Sequence, residues 1–511
     1  MLDRPEGDRV RGALLVCGTH SDAGKSVVTA GICRWLAREG VRVAPFKAQN
    51  MALNSVVAPD GSEVGRSQAV QAMAAGVQLE AAMNPILIKP SGSGHSQVIV
   101  MGRPYADVDA RSYQALKHEL RPVVASALAG LRERFDVVVC EGAGSPAEVN
   151  LRDADLVNMG LAREAGLPVI VVGDIDRGGV FASLFGTLAL LDASDQAHVA
   201  GFVINRFRGD ESILAPGLER IDTLTGRPVL GVLPHVEDLW MDAEDSLALD
   251  ARRPEEPANA DTLDVAVLRL RWISNFTDAD ALSAEPGVRV RFTRSPADVE
   301  RADLVVVPGT KATVEDLELL RAAGLDRALA ARAEAGGPIL GICGGYQLLG
   351  ERIEDDVESR RGTVAGLGLV PVATTFAPEK ILCRREGRSQ WLGTGAAGYE
   401  IRHGRVHRHG GEPVMDDEGC RAGCVVGFSW HAALEHDDFR RALLGWVAQA
   451  RGRRFVPGTT SFAAARTARL DALGDLVADH VDTVRLAALI EDGPPQDLPT
   501  LTSEVRECYA S

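Results

Sequence analysis

Gly341-Ile342-Cys343-Gly344-Gly345 sets a thiol among small residues, directly after the apolar run Pro338–Ile342 and directly before a helical pattern. A cysteine on such a strand-to-helix turn is the thiol counterpart of a nucleophile elbow: small neighbours permit the tight turn, and the helix N-terminus favours thiolate. The chemistry that follows is attack on a carbonyl. A core cysteine has no use for flanking glycines, so Cys343 reads as a nucleophile rather than as packing. A thiolate needs a base, and His431 closes the apolar run Gly427-Phe428-Ser429-Trp430-His431 well downstream. Backbone N–H groups around Gly309, after the run Val305–Val307, and at Gly344 are placed to hold the oxyanion of a tetrahedral intermediate.

A second loop, Gly18-Thr19-His20-Ser21-Asp22-Ala23-Gly24-Lys25-Ser26, approximates the phosphate-binding pattern G-x-x-x-x-G-K-[ST], with Thr19 in the first glycine position. The physical requirements are still met. Backbone N–H groups of the turn, from Gly18 and Thr19 through Asp22 to Gly24, can wrap phosphates, Lys25 can reach the outer ones, and Ser26 can ligate Mg²⁺. A glycine-rich turn with an incidental lysine is the plainer reading, but a strand before and a helix after favour a nucleotide. ATP with Mg²⁺ is the expected pair. No additional lysine stands at Thr19 or His20, which leans towards a synthetase rather than a partition-type ATPase.

Other polar residues follow strand-like runs and so reach the ligand edge of a sheet. Glu141, after Asp136–Cys140, is the candidate for a second Mg²⁺ contact, against the plainer reading of a solvated turn. Asp174 and Asp176 follow another strand and could order a substrate, bind metal or cap the next helix. Lys47, with Gln49 and Asn50 beside it, suits phosphate or a substrate carboxylate. Asn205 could read an adenine edge or only close a turn. Lys89, next to the polar stretch Ser91–Ser96, could hold a large acidic substrate or stand exposed.

The elements that must position these residues alternate between short apolar runs and helical spacing. Ala13–Cys17, Val41–Phe46, Asp136–Cys140, Pro168–Gly173, Val199–Asn205 and Pro228–Leu233 predict a parallel sheet covered by helices, and Val28, Ile32 and Leu36 with Gly40 after them predict the first helix. The polar, proline-bearing stretch 251–262 reads as a linker between a first domain over 1–250 and a second over 263–511. Asp264–Leu270, Val288–Phe292, Asp303–Val307, Pro338–Ile342 and Cys424–Trp430 make the second domain another α/β unit. A helical tail near 462–494, with Leu470, Leu473, Leu476 and Val477, is expected to pack on that second domain.

With 71 acidic against 55 basic residues, the net charge of −16 argues against nucleic acid or an anionic membrane as the main partner. The first residues lack an apolar signal core and no segment approaches about 18 uninterrupted apolar residues, so the chain is expected to stay in the cytoplasm. Cys17, Cys33 and Cys140 sit in apolar patterns as reduced core thiols do. Cys420 and Cys424 lack a second pair at zinc spacing, and the run with His403, His407 and His409 reads as solvated surface or substrate contact.

Taken together, Gly18–Ser26, the segment Pro45–Ser55, Glu141–Asn150, Asp174–Ala182, Asn205–Asp210, Ile273-Ser274-Asn275-Phe276-Thr277-Asp278 and Gly341–Leu349 resemble the cobyric acid synthase family. The resemblance implies an N-terminal P-loop ATPase domain similar to dethiobiotin synthetase and a C-terminal class I glutamine amidotransferase-like domain. It also implies glutamine-dependent amidation of the b, d, e and g carboxylates of adenosylcobyrinic acid a,c-diamide, with ATP cleaved to ADP and phosphate. Many amidotransferases of this class carry a glutamate two residues after the histidine, where this chain has Ala433 and the family also lacks the acid, so a Cys-His dyad is expected. Ala432 stands where the family usually has glycine. The competing readings are cobyrinic acid a,c-diamide synthase, built from similar domains, and a nucleotide switch with a non-catalytic amidase-like module.

Overall fold

In the computed structural model, which describes residues 9–91, 94–236 and 262–501, the six apolar runs of the first half form one parallel sheet. Its order is Val229–Pro234, Val199–Phe207, Val169–Asp174, Gly12–Gly18, Val137–Glu141, Val43–Phe46. Helices cover both faces, so the central strands are apolar at nearly every position instead of alternating. Gly12–Gly18 lies between Val137–Glu141 and Val169–Asp174. Its end therefore opens into the crevice beyond the carboxyl ends of its neighbours, where ligands of open α/β sheets bind. Helix Lys25–Arg38 follows and buries Val28, Ile32 and Leu36 against Leu14 and Val16.

The second half repeats the principle with the strands Val288–Thr293, Leu263–Leu268, Leu304–Val307, Ile339–Ile342 and Val425–Phe428, all parallel, and Cys420–Ala422 antiparallel at one edge. Ile342 pairs with Phe428 across the two strands that carry the cysteine and the histidine. That register brings Cys343 and His431 to the same end of the sheet. A hairpin of Val372–Ser389 and Thr394–Arg408, not expected from sequence, runs from this sheet to the first domain. There the Tyr399 hydroxyl donates to Ser55 O at 3.1 Å.

The helical tail corrects the sequence expectation. Helix Phe462–His480 begins on the second domain, where Phe462 is buried, but Leu470, Leu473, Leu476 and Val477 pack on Val28, Ile32 and Leu36 of the first. Arg34 binds Asp471 at 2.7 Å and Arg38 binds Asp475 at 2.5 Å along the same seam. The next helix, Thr483–Asp492, lies so close to the first strand that a Cβ on Gly12 would collide with Ile490 O. Apolar spacing reports that a helix has a face to bury, not which surface receives it. The first domain therefore includes the stretch from Leu470 to Ile490. The proposed linker lies outside the described residues except for Thr262. Among the described residues no helix is long and apolar enough to cross a membrane.

Candidate active site

The phosphate loop is built by the end of strand Gly12–Gly18 and the start of helix Lys25–Arg38. Thr19 N donates to Val172 O at 2.9 Å, and the Thr19 hydroxyl meets His20 Nδ1 at 2.8 Å. Gly24 has φ +105, and a Cβ there would strike the Asn205 amide, so the turn requires glycine. Asn205 donates to Ala23 O at 3.1 Å, bracing the loop from a neighbouring strand end. Lys25 folds back over the turn and donates to His20 O at 2.9 Å and Gly144 O at 3.1 Å. Asp22 is exposed, 3.6 Å from Arg177.

Glu141 is the hub of this site. Ser26 Oγ donates to its Oε1 at 2.8 Å, Lys47 Nζ to the same oxygen at 2.9 Å, and Gln71 to Oε2. Burial raises its pKa, but the Lys47 charge and the hydrogen bonds from Lys47, Gln71 and Ser26 outweigh burial and hold it below the ordinary carboxylate value. A hydroxyl and an ionised carboxylate side by side form an oxygen donor pair of the kind Mg²⁺ takes when phosphates and water complete its shell. Among the described residues no group of three or more His, Cys, Asp or Glu could hold a metal ion.

The other predicted residues fall in three places. Asp174 is buried beside the loop, accepting from Arg206 at 2.7 Å and from Asp176 N at 2.9 Å, while Asp176 faces Arg208 at 3.1 Å. Neither caps the next helix, Val180–Leu190, whose N-cap is Gly179 without a side-chain bond. Gln49 accepts from the Tyr113 hydroxyl, and Asn50 donates to Gln68 at 2.9 Å, so both amides are held within the first domain. Lys89 lies away from the phosphate loop, on the wall of the pocket that contains Cys343.

That pocket is formed where the domains meet. Cys343 is buried with φ 50 and ψ −110, a left-handed backbone that only a tight, well-supported turn sustains. Its N–H donates to Phe428 O at 2.9 Å. Gly344 and Gly345 let the strand end Val307–Thr310 press against the elbow: a Cβ on Gly344 would lie 2.8 Å from Thr310 N, and one on Gly309 3.0 Å from His431 Cε1. His431 faces the same pocket as Cys343, whose Sγ donates to Ile401 O at 3.8 Å. The His431 Nδ1 lies 2.7 Å from Asp278 Oδ2.

Asp278 is the residue sequence reasoning missed. It stands 153 positions from His431, in the segment Ile273–Asp278 quoted for the family resemblance, and it supplies the acid that the Ala433 position lacks. Its other oxygen accepts from Ala432 N at 2.6 Å, fixing the backbone just after the histidine. Ala432 has φ 61, the conformation a glycine would adopt without strain. His431 is thus backed by an acid that the Cys-His expectation did not include. Burial lowers the His431 pKa, but Cys343 and Asp278 overcome burial and push it up to about 10. The ring is thus held protonated between two anion-forming groups.

Segments of the first domain reach from one site to the other. Lys47 binds Glu141, and Ser55, eight residues on, donates its N–H to Asn275 Oδ1 at 2.9 Å in the cysteine pocket. Helix Arg66–Ala75 sends Gln71 to Glu141 and Arg66 to Glu435 at 2.7 Å, four residues past His431.

Comparison with known proteins divides the chain as the fold does. Residues 14–248 match the CobQ/CobB/MinD/ParA nucleotide binding domain, and residues 264–439 match the CobB/CobQ-like glutamine amidotransferase domain. The cobyric acid synthase of Frankia casuarinae is 60% identical over 96% of this chain and 98% of its own length. Those of Streptomyces avermitilis and Rhodococcus jostii are 58% and 56% identical, each across 98% of its own length and 96% and 97% of this chain. With both domain types present in this order and similarity sustained along its length, the chain belongs to the cobyric acid synthase family.

Proposed function

We propose that this chain converts the b, d, e and g carboxylates of adenosylcobyrinic acid a,c-diamide to carboxamides, using ATP and the amide nitrogen of L-glutamine. The observation that carries the reading is one chain in which Cys343 shares a pocket with the His431–Asp278 pair in one domain, while Ser26 and Lys47 surround Glu141 beside the Lys25 loop in the other. Cys343 sulfur attacks the glutamine δ-carbonyl carbon, and the donors near Gly309 and Gly344 hold the resulting oxyanion. His431 keeps the thiol proton and delivers it to the departing nitrogen, which leaves as ammonia. Water then attacks the thioester, the proton passes to His431 and back to sulfur, and glutamate is released. Asp278 holds the ring in the tautomer with Nδ1–H directed at its carboxylate.

In the first domain Lys25 and the loop N–H groups bind the triphosphate and orient its outer phosphate towards a substrate carboxylate. Ser26 and Glu141 would hold Mg²⁺, which when bound offsets the charge of the phosphates. Lys47 keeps Glu141 ionised. The acyl phosphate formed on the substrate is a better electrophile than the carboxylate, and ammonia displaces phosphate from it. Asp174, Asp176, Gln49 and Asn50 line or buttress the substrate side of this crevice. The described cysteines are all free thiols, as suits the cytoplasm.

Incubation with ATP, Mg²⁺, glutamine and adenosylcobyrinic acid a,c-diamide, followed by mass spectrometry of the corrinoid, tests the reading. Conversion of the a,c-diamide through b, d, e and g amidation is expected. An unchanged a,c-diamide, with cobyrinic acid amidated as far as the a,c-diamide in a parallel incubation, would favour the neighbouring synthase, and no glutamine hydrolysis at all would favour a nucleotide switch.

A further inference from the structure

The wall of the cysteine pocket carries more positive charge than it pairs. Lys89, Lys311, Lys380 and Arg402 line it together with Glu358. Lys311 binds Glu358, and Arg402 shares Glu400 with Arg385. Lys89 and Lys380 share the single carboxylate of Glu63, at 2.8 and 2.5 Å. Both ammoniums are almost wholly buried, with side chains 4% exposed. Each has three donors and spends two, Lys89 on Glu63 and Ser55 Oγ, Lys380 on Glu63 and Gln97 Oε1. Two buried cations on one anion are a costly arrangement unless a further anion completes it.

We infer that Lys89 and Lys380 form the receptor for the α-carboxylate of glutamine, so that the first domain, through Lys89 and Glu63, completes the glutamine site of the second. Lys89 and Lys380 line the same pocket as Cys343, the group that must meet the other end of the same amino acid. The titration of Lys380 agrees. Burial draws it down, Glu63 raises it, and the charges of Lys89 and Lys311 lower it again, leaving it at about 8. A carboxylate arriving at this point restores full protonation. The neutral side of the pocket is supplied by His403, whose pKa burial lowers and whose Nδ1 lies 3.0 Å from Ala377 O. This inference rests on Cys343 as the nucleophile, and the experiment below separates the two.

The probes are iodoacetate and iodoacetamide, which alkylate the same thiol with loss of iodide and differ in carrying or lacking a carboxylate. In the full chain, the rate of Cys343 labelling by each is measured by peptide mass spectrometry, alongside kcat and KM for glutamine hydrolysis. Lys89→Met and Lys380→Met should each lower the iodoacetate-to-iodoacetamide rate ratio and raise KM for glutamine about ten- to a hundred-fold, with a smaller change in kcat. Lys380→Arg, which keeps the charge, should recover most of both. An unchanged ratio in the Met variants, or a loss of labelling by both reagents alike, overturns the carboxylate receptor while Cys343 stands. Failure of both reagents to label Cys343 in the unaltered chain overturns both readings.

Discussion

Asp278 turns a cysteine and a histidine into an oriented line, and its removal should be felt in rate and in pH behaviour. Asp278→Asn keeps the shape but frees the imidazole tautomer, so glutamine hydrolysis should fall about a hundred-fold in kcat with little change in KM, as steady-state kinetics would show. The His431 pKa is raised from 6.5 to about 10 in the fold. Its ion-pair contribution to stability is therefore complete below the unfolded value and is lost as pH rises through about 10. The gap in melting temperature between the parent protein and Asp278→Asn should be widest near pH 6 and close towards pH 10. Cys343 was legible in sequence because its turn needs small neighbours on both sides, and Lys25 and Ser26 because their loop has fixed spacing. Asp278 was not, because a carboxylate 153 residues from its partner leaves no local periodicity to read. Glu141→Gln should lower ATP-dependent amidation on the order of a hundred-fold while glutamine hydrolysis by Cys343 persists, since it strips the charge that Ser26 and Lys47 surround.

At the scale of elements, the sheets were readable and the helical tail's destination was not. Buried parallel strands announce themselves as apolar runs, so all eleven expected strands appear. The hairpin of Val372–Ser389 and Thr394–Arg408 mixes exposed and buried positions with many arginines, and it gave no comparable signal. The His403 stretch, read as surface or substrate contact, is part of that hairpin and lines the cysteine pocket. The tail belongs energetically to the domain at the other end of the chain. Leu473→Ala should cost about 2–5 kcal/mol in urea unfolding and should loosen the first domain, because Leu473 packs on helix Lys25–Arg38. Gly31→Val tests the same seam from the other side: a Cβ at Gly31 already lies 2.6 Å from Val477 Cγ2 and 2.7 Å from Leu473 O. Hydrogen exchange should then show faster opening of residues 462–492 in that variant. Unaltered exchange there would mean that the tail is not held by this contact.

Across the whole molecule, two chemistries are joined through buried ion pairs between domains. Glu435 binds Arg66 of the first domain at 2.7 Å and Arg466 of the tail at 2.8 Å. Burial raises its pKa, yet the two guanidiniums bring it down to about 2. Its contribution to stability is thus present above the ordinary value of 4.5 and disappears only as pH falls through about 2. Glu435→Gln removes the anion that Arg66 and Arg466 share and should split a shared urea transition into two. On the proposed function, glutamine nitrogen liberated at Cys343 becomes the amide made with ATP in the other domain. The most direct measurement is nitrogen isotope transfer from amide-¹⁵N-glutamine, with unlabelled ammonium present, into the corrinoid product of the parent protein and of Cys343→Ser. The parent's new amides should carry ¹⁵N, and Cys343→Ser should make unlabelled amides from ammonium. Transfer of ¹⁵N from glutamine by Cys343→Ser, or an unlabelled product from the parent, would contradict that proposal.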